Sequence, residues 1–490
     1  MPSPVELQVF VASEIDWLDH VRERIDSVFL EKLTHHERFC ELRNDREERG
    51  RPVGIWGWNT WCGIHDMTPL GDRRVHQVMK NTVDEGLSRT EPGTGLLPHA
   101  VPIDDDGRIG FRNGVEETYY RTYSGVHGED YCLDNTTCWA KMALELFLYT
   151  MDRDWFSADK LGIVERSTDY ILDNLRADYS PELIESGIEG DWTENTDWRA
   201  DNANNNVSMI QCLDQLVEVE RVFGREGRAE RYGELASGLR SKFRDDAGDG
   251  GFWQEERGYF LHGNDGKGER VYGDVYFEST ANYFSLLWDV AGGEQAKKIM
   301  SYIDSHPEIE APLPVLTNHN PRNAARRMNY GHTVTDGDVW MTLGAHAMAA
   351  RLRMGYAERA TDMYRAIINY ELDHGTIHNS IFADGSADEK WDPEIGNYGS
   401  IFTPLVEGVL GLKPTSGGLL IRPVPLHGMR NLRFLAPLAY AGKYFGLEVN
   451  WRGGSRSFAT LDGERLESVE GGVLLDPDFD DGSEVKIVYR

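Results

Sequence analysis

Carboxyl groups and indole rings crowd one segment, residues 185–206, whose sequence is ESGIEGDWTENTDWRADNANNN. Carboxylates held this close raise one another's pKa, which favours an acid that stays protonated near neutral pH. We predict Glu194 as such a proton donor, with Asp191 binding hydroxyl groups or exchanging roles with it. Taken singly, each acid is also explained by exposure to solvent or by capping of a helix that begins near Asn204.

Five further segments share this density of Trp, Tyr, His, Asp, Glu and Asn: residues 54–66, 119–135, 266–279, 328–340 and 384–400. Ordinary loops are rich in Gly, Ser, Pro and Asn instead, so we expect the six segments to converge on one pocket. Aromatic faces pack on sugar rings and polar side chains bind their hydroxyls. The predicted substrate-binding residues are Trp56, Trp58, Trp192, Asp197, Asp336, Asp338, Trp340 and Trp391.

A second carboxyl group must come from a distant segment, because neighbouring residues cannot stand on both sides of one bond. Two such groups suffice to hydrolyse a glycosidic bond: one protonates the leaving oxygen and the other activates a water, roughly 6.5–9.5 Å away when the anomeric configuration inverts. The best supply is the sixth segment, which holds Asp384, Asp388, Glu389, Asp392 and Glu394, and Glu389 taken alone is equally explained as a solvated loop acid. Asp336 and Asp338 are alternatives, and Asp338 has the further explanation of an N-cap for a helix beginning at Val339.

Two kinds of helical segment alternate between these polar segments. One kind is apolar nearly all round: 138–150, 207–223, 281–291, 339–352 and 401–412. The other is amphipathic: 157–178, 228–246, 293–305 and 357–374. Buried helices paired with half-exposed helices predict a mainly α fold, an (α/α)6 toroid of six hairpins, whose first hairpin we place in 16–42 and 72–88. After Pro414 the apolar residues alternate with period two, which predicts a small antiparallel β domain. The expected division is a helical lead-in over 1–50, the barrel over 51–413 and the β domain over 414–490.

Three stretches resemble the inverting (α/α)6-barrel glycosidases, the group that includes mannosylglycerate hydrolase, glycogen-debranching glucosidases and α-L-rhamnosidases. The ESGIEGDWTE run resembles the loop with their general acid, although Glu189 stands where these hydrolases have Asp. The EKWDPEIG run at 389–396 resembles the loop with their general base, with Lys390 in place of Asn. GLLIRPVPL followed by YAGKYFGLEV resembles their C-terminal β domain. The resemblance implies a general base at Glu389 and leaves the acid open between Glu189, Asp191 and Glu194.

The amino-acid composition limits the partners that the chain can bind and the cellular compartment that suits it. The 490 residues carry a formal charge of −31, so nucleic acid and acidic membrane surfaces are excluded as partners. Lys is scarce beside Arg, which suits either a salt-rich cytoplasm or an ordinary acidic cytosolic protein. The five cysteines and the histidines show no metal-ligand spacing, so we expect no metal and no cofactor. The first residues do not resemble a signal peptide and no apolar run reaches 18 residues, which predicts a cytoplasmic protein.

The function predicted from these features is an inverting, exo-acting glycoside hydrolase that releases a monosaccharide from a small oligosaccharide or glycoside. A disaccharide phosphorylase is an alternative on the same scaffold, with Arg322, Arg326 and Arg327 available for phosphate. An unsaturated-uronide hydrolase and a sugar epimerase are others. A carbohydrate-binding protein without catalysis is the alternative from another class. The surplus of pocket carboxylates argues against it, because unpaired buried charges are costly. The sugar, the linkage and the oligomeric state stay open.

Overall fold

The structure of the chain is a computed structural model. It describes residues 11–13, 15, 17, 20, 21, 24, 53–98, 100–103, 133–185, 201–264, 277–319, 338–378, 381–382, 385–386, 395–453, 457–466, 468–469 and 472–489.

Eleven α-helices lie within this part of the chain. In chain order they are α1 (Gly57–Ile64), α2 (Arg73–Ser88), α3 (Leu133–Thr150), α4 (Ala158–Asn174), α5 (Ala203–Val222), α6 (Glu226–Arg244), α7 (Ser279–Leu287), α8 (Gly293–Ser305), α9 (Met341–Arg353), α10 (Ala357–His374) and α11 (Ile395–Thr403). A π-helix, Pro404–Leu410, continues α11, and three short 3-10 helices cover Thr68–Leu70, Ala247–Asp249 and Pro307–Ile309. The predicted mainly α fold is confirmed.

The odd-numbered helices form an inner ring. Following the chain, α1 packs on α3, α3 on α5, α5 on α7, α7 on α9 and α9 on α11, and α11 returns to pack on α1. All 18 residues of α3 are buried, which agrees with apolar residues on most of its faces, although the helix also buries Lys141 and Glu145. At the closing contact α11 carries Gly399, where a Cβ would lie 2.0 Å from the carbonyl oxygen of Cys62 on α1.

The even-numbered helices pack outside this ring with one face in solvent. The α10 helix buries residues such as Tyr364 and Ile368 and exposes others such as Asp362 and Arg365, in keeping with its amphipathic sequence. Described residues of the N-terminal lead-in contact α10 as well: Trp17 lies edge-on to Tyr364 with ring centroids 5.0 Å apart. His20 contacts Glu371 on the same helix.

Short strands pair in the segments that connect the helices. They are β2 (Val53–Trp56), β3 (Ala100–Ile103), β4 (Arg176–Ala177), β5 (Ser180–Ile184), β6 (Asp201–Asn202), β7 (Trp253–Gln254), β8 (Tyr259–Phe260), β9 (Gly263–Asn264), β10 (Phe277–Glu278) and β11 (Asn318–His319). The antiparallel pairs are β2 with β3, β4 with β5, β6 with β9, β7 with β8, and β10 with β11.

The C-terminal strands build two sheets. Their bounds are β12 (Leu412–Thr415), β13 (Gly418–Ile421), β14 (Asn431–Tyr440), β15 (Lys443–Trp451), β16 (Ser457–Leu461), β17 (Glu464–Leu466), β18 (Ser468–Val469), β19 (Gly472–Leu475) and β20 (Ser483–Tyr489). One sheet has the order β12-β13-β19-β18. The other has the order β1-β14-β15-β20-β16-β17, where β1 is Val11–Ser13.

Two features of the larger sheet depart from the sequence pattern. The strand β1 comes from the N-terminal end of the chain and pairs antiparallel with β14, with Val11 opposite Phe434. The strands β15 and β20 run parallel, whereas the period-two pattern indicated antiparallel strands throughout. Pairing partners are not visible in local periodicity, which reports only which face of a strand is buried.

Candidate active site at one end of the inner ring

Aromatic rings from three inner helices meet near the start of α1. The ring of Trp58 lies 6.0 Å from that of Trp340, nearly parallel to it, and 5.9 Å from that of Phe284 on α7. Trp58 and Trp340 are both buried, with 2% and 3% of their surface exposed. The structure therefore brings together two of the tryptophans that the sequence marks as sugar-binding residues, and they form an aromatic layer across the N-terminal end of the ring.

Asparagines in the first turns of three inner helices fasten the neighbouring chain segments. Asn135 Oδ1 accepts a hydrogen bond from the Trp58 backbone N–H at 2.8 Å. Asn206 accepts from the Ile184 N–H at 2.9 Å and donates to the Ile184 carbonyl at 3.1 Å. Asn282 holds the backbone of Phe260 in the same way, at 2.9 and 3.0 Å. Some asparagines of the polar segments, which were expected to bind ligand, therefore bind backbone groups of the protein itself.

Glu278 has a comparable structural use. Its two carboxylate oxygens accept hydrogen bonds from the backbone N–H groups of Thr280 and Ala281, at 2.9 and 2.8 Å, so it caps α7. His262 Nδ1 lies 3.9 Å from the same carboxylate. Glu278 was not among the predicted site residues, although a carboxylate just before an apolar helix is a signal for such a cap.

Asp338 lies near the end of the fifth polar segment, next to a β-bridge formed by Val339. Its carbonyl accepts a hydrogen bond from the Thr317 N–H at 2.9 Å, and Val339 next to it pairs with Ile381. Asp338 is 7% exposed. The alternative role as N-cap of a helix starting at Val339 is wrong, because α9 begins at Met341 and Trp340 occupies its N-cap position.

Most of the remaining predicted site residues lie outside the described residues: Asp191, Trp192, Glu194, Asp197, Asp336, Glu389 and Trp391. Glu189, Arg322, Arg326 and Arg327 lie outside them as well. For Trp56 the structure describes the backbone in β2 but not the side chain. Glu185, at the start of the third polar segment, is described and exposed, and partial burial together with the charge of Asp178 raises its pKa.

The inner helices that follow these segments are described, and their positions in the ring are informative. Glu194 is seven residues before Asp201, where β6 leads into α5, and Glu389 is six residues before Ile395, where α11 begins. In the cyclic order of six inner helices, α5 and α11 are three places apart. They therefore stand on opposite sides of the ring.

Beneath the aromatic layer the interior of the ring is polar. Trp61 packs against Trp58 with centroids 5.6 Å apart and stacks on His65 at 4.6 Å. Lys141, fully buried on α3, places its ammonium nitrogen 3.6 Å from the Trp61 ring centroid. At this distance a desolvated cation is held by the ring quadrupole. Nothing in the local sequence marks these residues, since they come from helices far apart in the chain.

Charges deeper in the ring are strongly coupled. Burial by itself lowers the pKa of His65, but the charge and hydrogen bond of Asp66 and the charges of Glu145 and Glu407 together outweigh burial and raise the value to about 10. Burial raises the pKa of Glu407 to about 7, and the charge of Asp66 adds to the shift. Burial and the charge of His65 lower the pKa of His346 to about 3. Burial also raises the pKa of Glu145.

A cavity of about 800 Å³ opens at the other end of the ring, between the inner helices and the β domain. Its walls include Glu145, Arg353 and Glu407 from the ring and Lys413 and Arg422 from the β domain.

No helix in the described ranges is both long and apolar enough to cross a lipid bilayer.

No protein-family model matches this sequence, and no curated protein matches it. Solved structures do match its fold. An α-L-rhamnosidase from Dictyoglumus thermophilum has a TM-score of 0.59 at 13% identity over 97% of this chain and 49% of its own. Mannosylglycerate hydrolase from Thermus thermophilus gives 0.55 at 12% identity, over 79% of this chain and 99% of its own. A chain named as a sialidase gives 0.61 at 14% identity, over 89% of this chain and 38% of its own.

These matches fix the class of fold. This chain spans only 38% of the sialidase and 49% of the rhamnosidase, but nearly the whole of mannosylglycerate hydrolase lies within the match. At identities of 12–14% the likeness concerns the fold alone. The chain has the fold of the (α/α)6 glycoside hydrolases, as the resemblance in its sequence implied.

Proposed function

We propose that the chain is an inverting, exo-acting glycoside hydrolase that releases a monosaccharide from a small oligosaccharide or glycoside. Glu194 or Asp191 acts as the general acid and Glu389 as the general base. The observation that carries the proposal is the ring order, in which the helices that follow the two acidic segments, α5 and α11, stand opposite each other. Inverting hydrolysis needs two carboxyl groups on opposite sides of the scissile bond, with room for a water.

Sugar binding in the proposal rests on the aromatic layer at the same end of the ring. Trp58 and Trp340 supply faces for C–H groups of a sugar, and Asp338 supplies a buried acceptor for its hydroxyls. Trp56, Trp192, Asp197, Asp336 and Trp391 complete the proposed binding set. Mannosylglycerate hydrolase and the rhamnosidase act on glycosides, which agrees with this substrate class without identifying the sugar.

The experiment compares two kinds of substrate. A panel of natural disaccharides and aryl glycosides is screened, with NMR of the first-formed anomer to establish inversion. Glu389→Gln is expected to lower kcat about 10²–10⁴-fold on every active substrate. The acid variants, Glu194→Gln and Asp191→Asn, are each assayed on both kinds of substrate. The variant that lacks the true general acid is expected to show a similar fall in kcat on a natural glycoside. On an aryl glycoside, whose leaving group needs no proton, its kcat is expected to fall much less.

Glu182→Gln is the matched control, because Glu182 is exposed on β5, three residues before the same segment. It is expected to retain full activity. Retention of more than a tenth of the wild-type rate by Glu389→Gln excludes Glu389 as the base. A retained anomeric configuration excludes the inverting mechanism.

A further inference from the structure

Three ligand-type side chains converge in the interior of the ring, outside the proposed active site. His65 follows α1, His346 lies on α9 and Glu407 lies in the π-helix. One imidazole nitrogen of each histidine and a carboxylate oxygen of Glu407 all lie within 4.8 Å of one another. His65 Nε2 is 3.9 Å from Glu407 Oε1. Two ligand atoms of a tetrahedral ion with bonds of about 2.0–2.2 Å lie about 3.3–3.6 Å apart, so the three groups close on an ion when their side chains approach one another by up to about 1.5 Å.

Both imidazoles are oriented as metal ligands are. His65 Nδ1 lies 2.8 Å from the Trp61 carbonyl oxygen and His346 Nδ1 lies 2.8 Å from that of Thr342, in each case four residues earlier. A proton on Nδ1 that is donated to a carbonyl fixes the plane of the ring and, in a neutral imidazole, leaves the Nε2 lone pair available. His65, which its carboxylate neighbours hold protonated, releases its Nε2 proton when an ion binds. Such bonds are the usual outer-shell support of metal-binding histidines.

The converging atoms are otherwise unused. Within the described part of the chain, neither His346 Nε2 nor Glu407 Oε2 has a hydrogen-bond partner, and both are buried from solvent. Unpartnered buried polar atoms are costly and call for an explanation. Asp66 Oδ2 lies 2.8 Å from His65 Nε2 and accepts a hydrogen bond from the Thr403 hydroxyl. Asp66 therefore stands beside the three groups and is placed to serve as a fourth ligand.

We propose that His65, His346 and Glu407 form a binding site for a divalent zinc-type ion, with Asp66 or a water as the fourth ligand. Mixed nitrogen and oxygen ligands in a closed, buried site suit Zn²⁺, whereas Ca²⁺ and Mg²⁺ prefer all-oxygen sites. The Asp66, Glu145 and Glu407 carboxylates supply negative charge around the ion, opposed by the Lys141 ammonium on α3. Nothing in the proposed glycosidase chemistry depends on this site.

The position of the site indicates a role in closing the ring. The three ligands come from the first inner helix, the fifth and the continuation of the sixth, and α11 packs between α1 and α9. The π-helix presents Glu407 to this interior. Helices of this type are rare in proteins overall, but those that exist are often found at functional sites. Glu407 also lines the 800 Å³ cavity, which gives an ion a route from solvent.

The test measures metal bound to the full chain. The protein is stripped with a chelator and dialysed, then titrated with Co²⁺ at neutral pH and read by visible absorption, with Zn²⁺ displacement and elemental analysis for stoichiometry. We expect one ion per chain and a Tm that falls when the chelator is added. His346→Gln and Glu407→Gln are each expected to weaken Co²⁺ affinity at least tenfold.

His76→Gln is the matched control, because His76 is a buried histidine of α2 whose Nε2 lies 2.7 Å from the Thr68 carbonyl oxygen. It removes a buried imidazole without touching the cluster, so it lowers stability but leaves metal stoichiometry at one. Equal loss of Co²⁺ binding in His76→Gln and His346→Gln overturns the assignment of these ligands. Absence of bound Co²⁺ and Zn²⁺ in the wild-type chain at micromolar free metal overturns the site, and then His65 and Asp66 act as an imidazolium–carboxylate pair.

Discussion

The contact between α1 and α11 closes the ring, and it makes a sharp prediction about Gly399. A Cβ at this position would lie 2.0 Å from the Cys62 carbonyl oxygen, about 1.4 Å short of the 3.4 Å at which ordinary contact begins. The obstructing atom belongs to the backbone of another helix, so no side-chain rotation relieves the clash. Gly399→Ala must therefore push the first and last inner helices apart.

The expected magnitude combines two opposing effects. Alanine in a helix interior is about 1 kcal/mol more favourable than glycine. Overpacking of a tight core costs typically about 1–3 kcal/mol, and a backbone obstacle belongs to the upper end of that range. We therefore expect Gly399→Ala to lower the free energy of unfolding by about 2 kcal/mol.

Gly238→Ala is the matched control, since Gly238 lies on outer helix α6 with nothing within 4 Å of its added Cβ. This variant is expected to gain up to about 1 kcal/mol, so the same substitution changes sign between the two helices. The assay is urea unfolding followed by far-UV circular dichroism and by tryptophan fluorescence. If Gly399→Ala is as stable as Gly238→Ala, the first and last helices are not in contact and the closed ring is refuted.

Two further predictions follow from buried polar groups. Asn206→Ala and Asn282→Ala each leave a buried N–H and carbonyl unpaired, at Ile184 and at Phe260, and each is expected to cost about 2–4 kcal/mol in urea unfolding. Asn174→Ala, on an exposed site of α4, should change stability by less than about 0.5 kcal/mol, and equal effects of all three would contradict the fastening role. For Glu220 on α5, burial raises the pKa to about 8 and the adjacent Glu165 carboxylate adds to the shift. Because the folded state holds this proton more tightly than the unfolded chain, with its ordinary value of 4.5, stability is greatest below that pH and falls as the pH rises toward 8. Glu220→Gln should therefore gain Tm relative to wild type between about pH 5 and 8, and a constant Tm difference across that window would contradict the assignment.

Helix positions were predictable from the sequence because buried apolar residues recur along it with the period of a helix. The apolar segments 207–223 and 339–352 correspond to α5 and α9, and the amphipathic segments 293–305 and 357–374 match α8 and α10 to the residue. An inner helix touches neighbours on every side and an outer helix on one, so hydrophobic periodicity separates the two kinds.

The interior cluster could not be predicted in this way. His65 and Glu407 are 342 residues apart, and metal-ligand spacing is readable only when ligands share a short segment. Residue spacing along the chain predicted no metal site, whereas the ring brings His65 and His346 together across it. The strand β1 is a similar case, since only the sheet reveals that Val11 pairs with Phe434.

At the described starts of the inner helices, some polar side chains have a structural role. Asn135, Asn206, Asn282 and Glu278 lie in such segments or in the helix turns that follow them, and each binds backbone groups. An inner helix of the ring therefore needs about one polar side chain simply to fasten or cap its start. The third segment holds six acids, which exceeds that structural need several-fold. The segment leads into α5, which lies directly across the ring from α11. The excess of acids at this position favours a role in proton transfer over a purely structural role for its carboxylates.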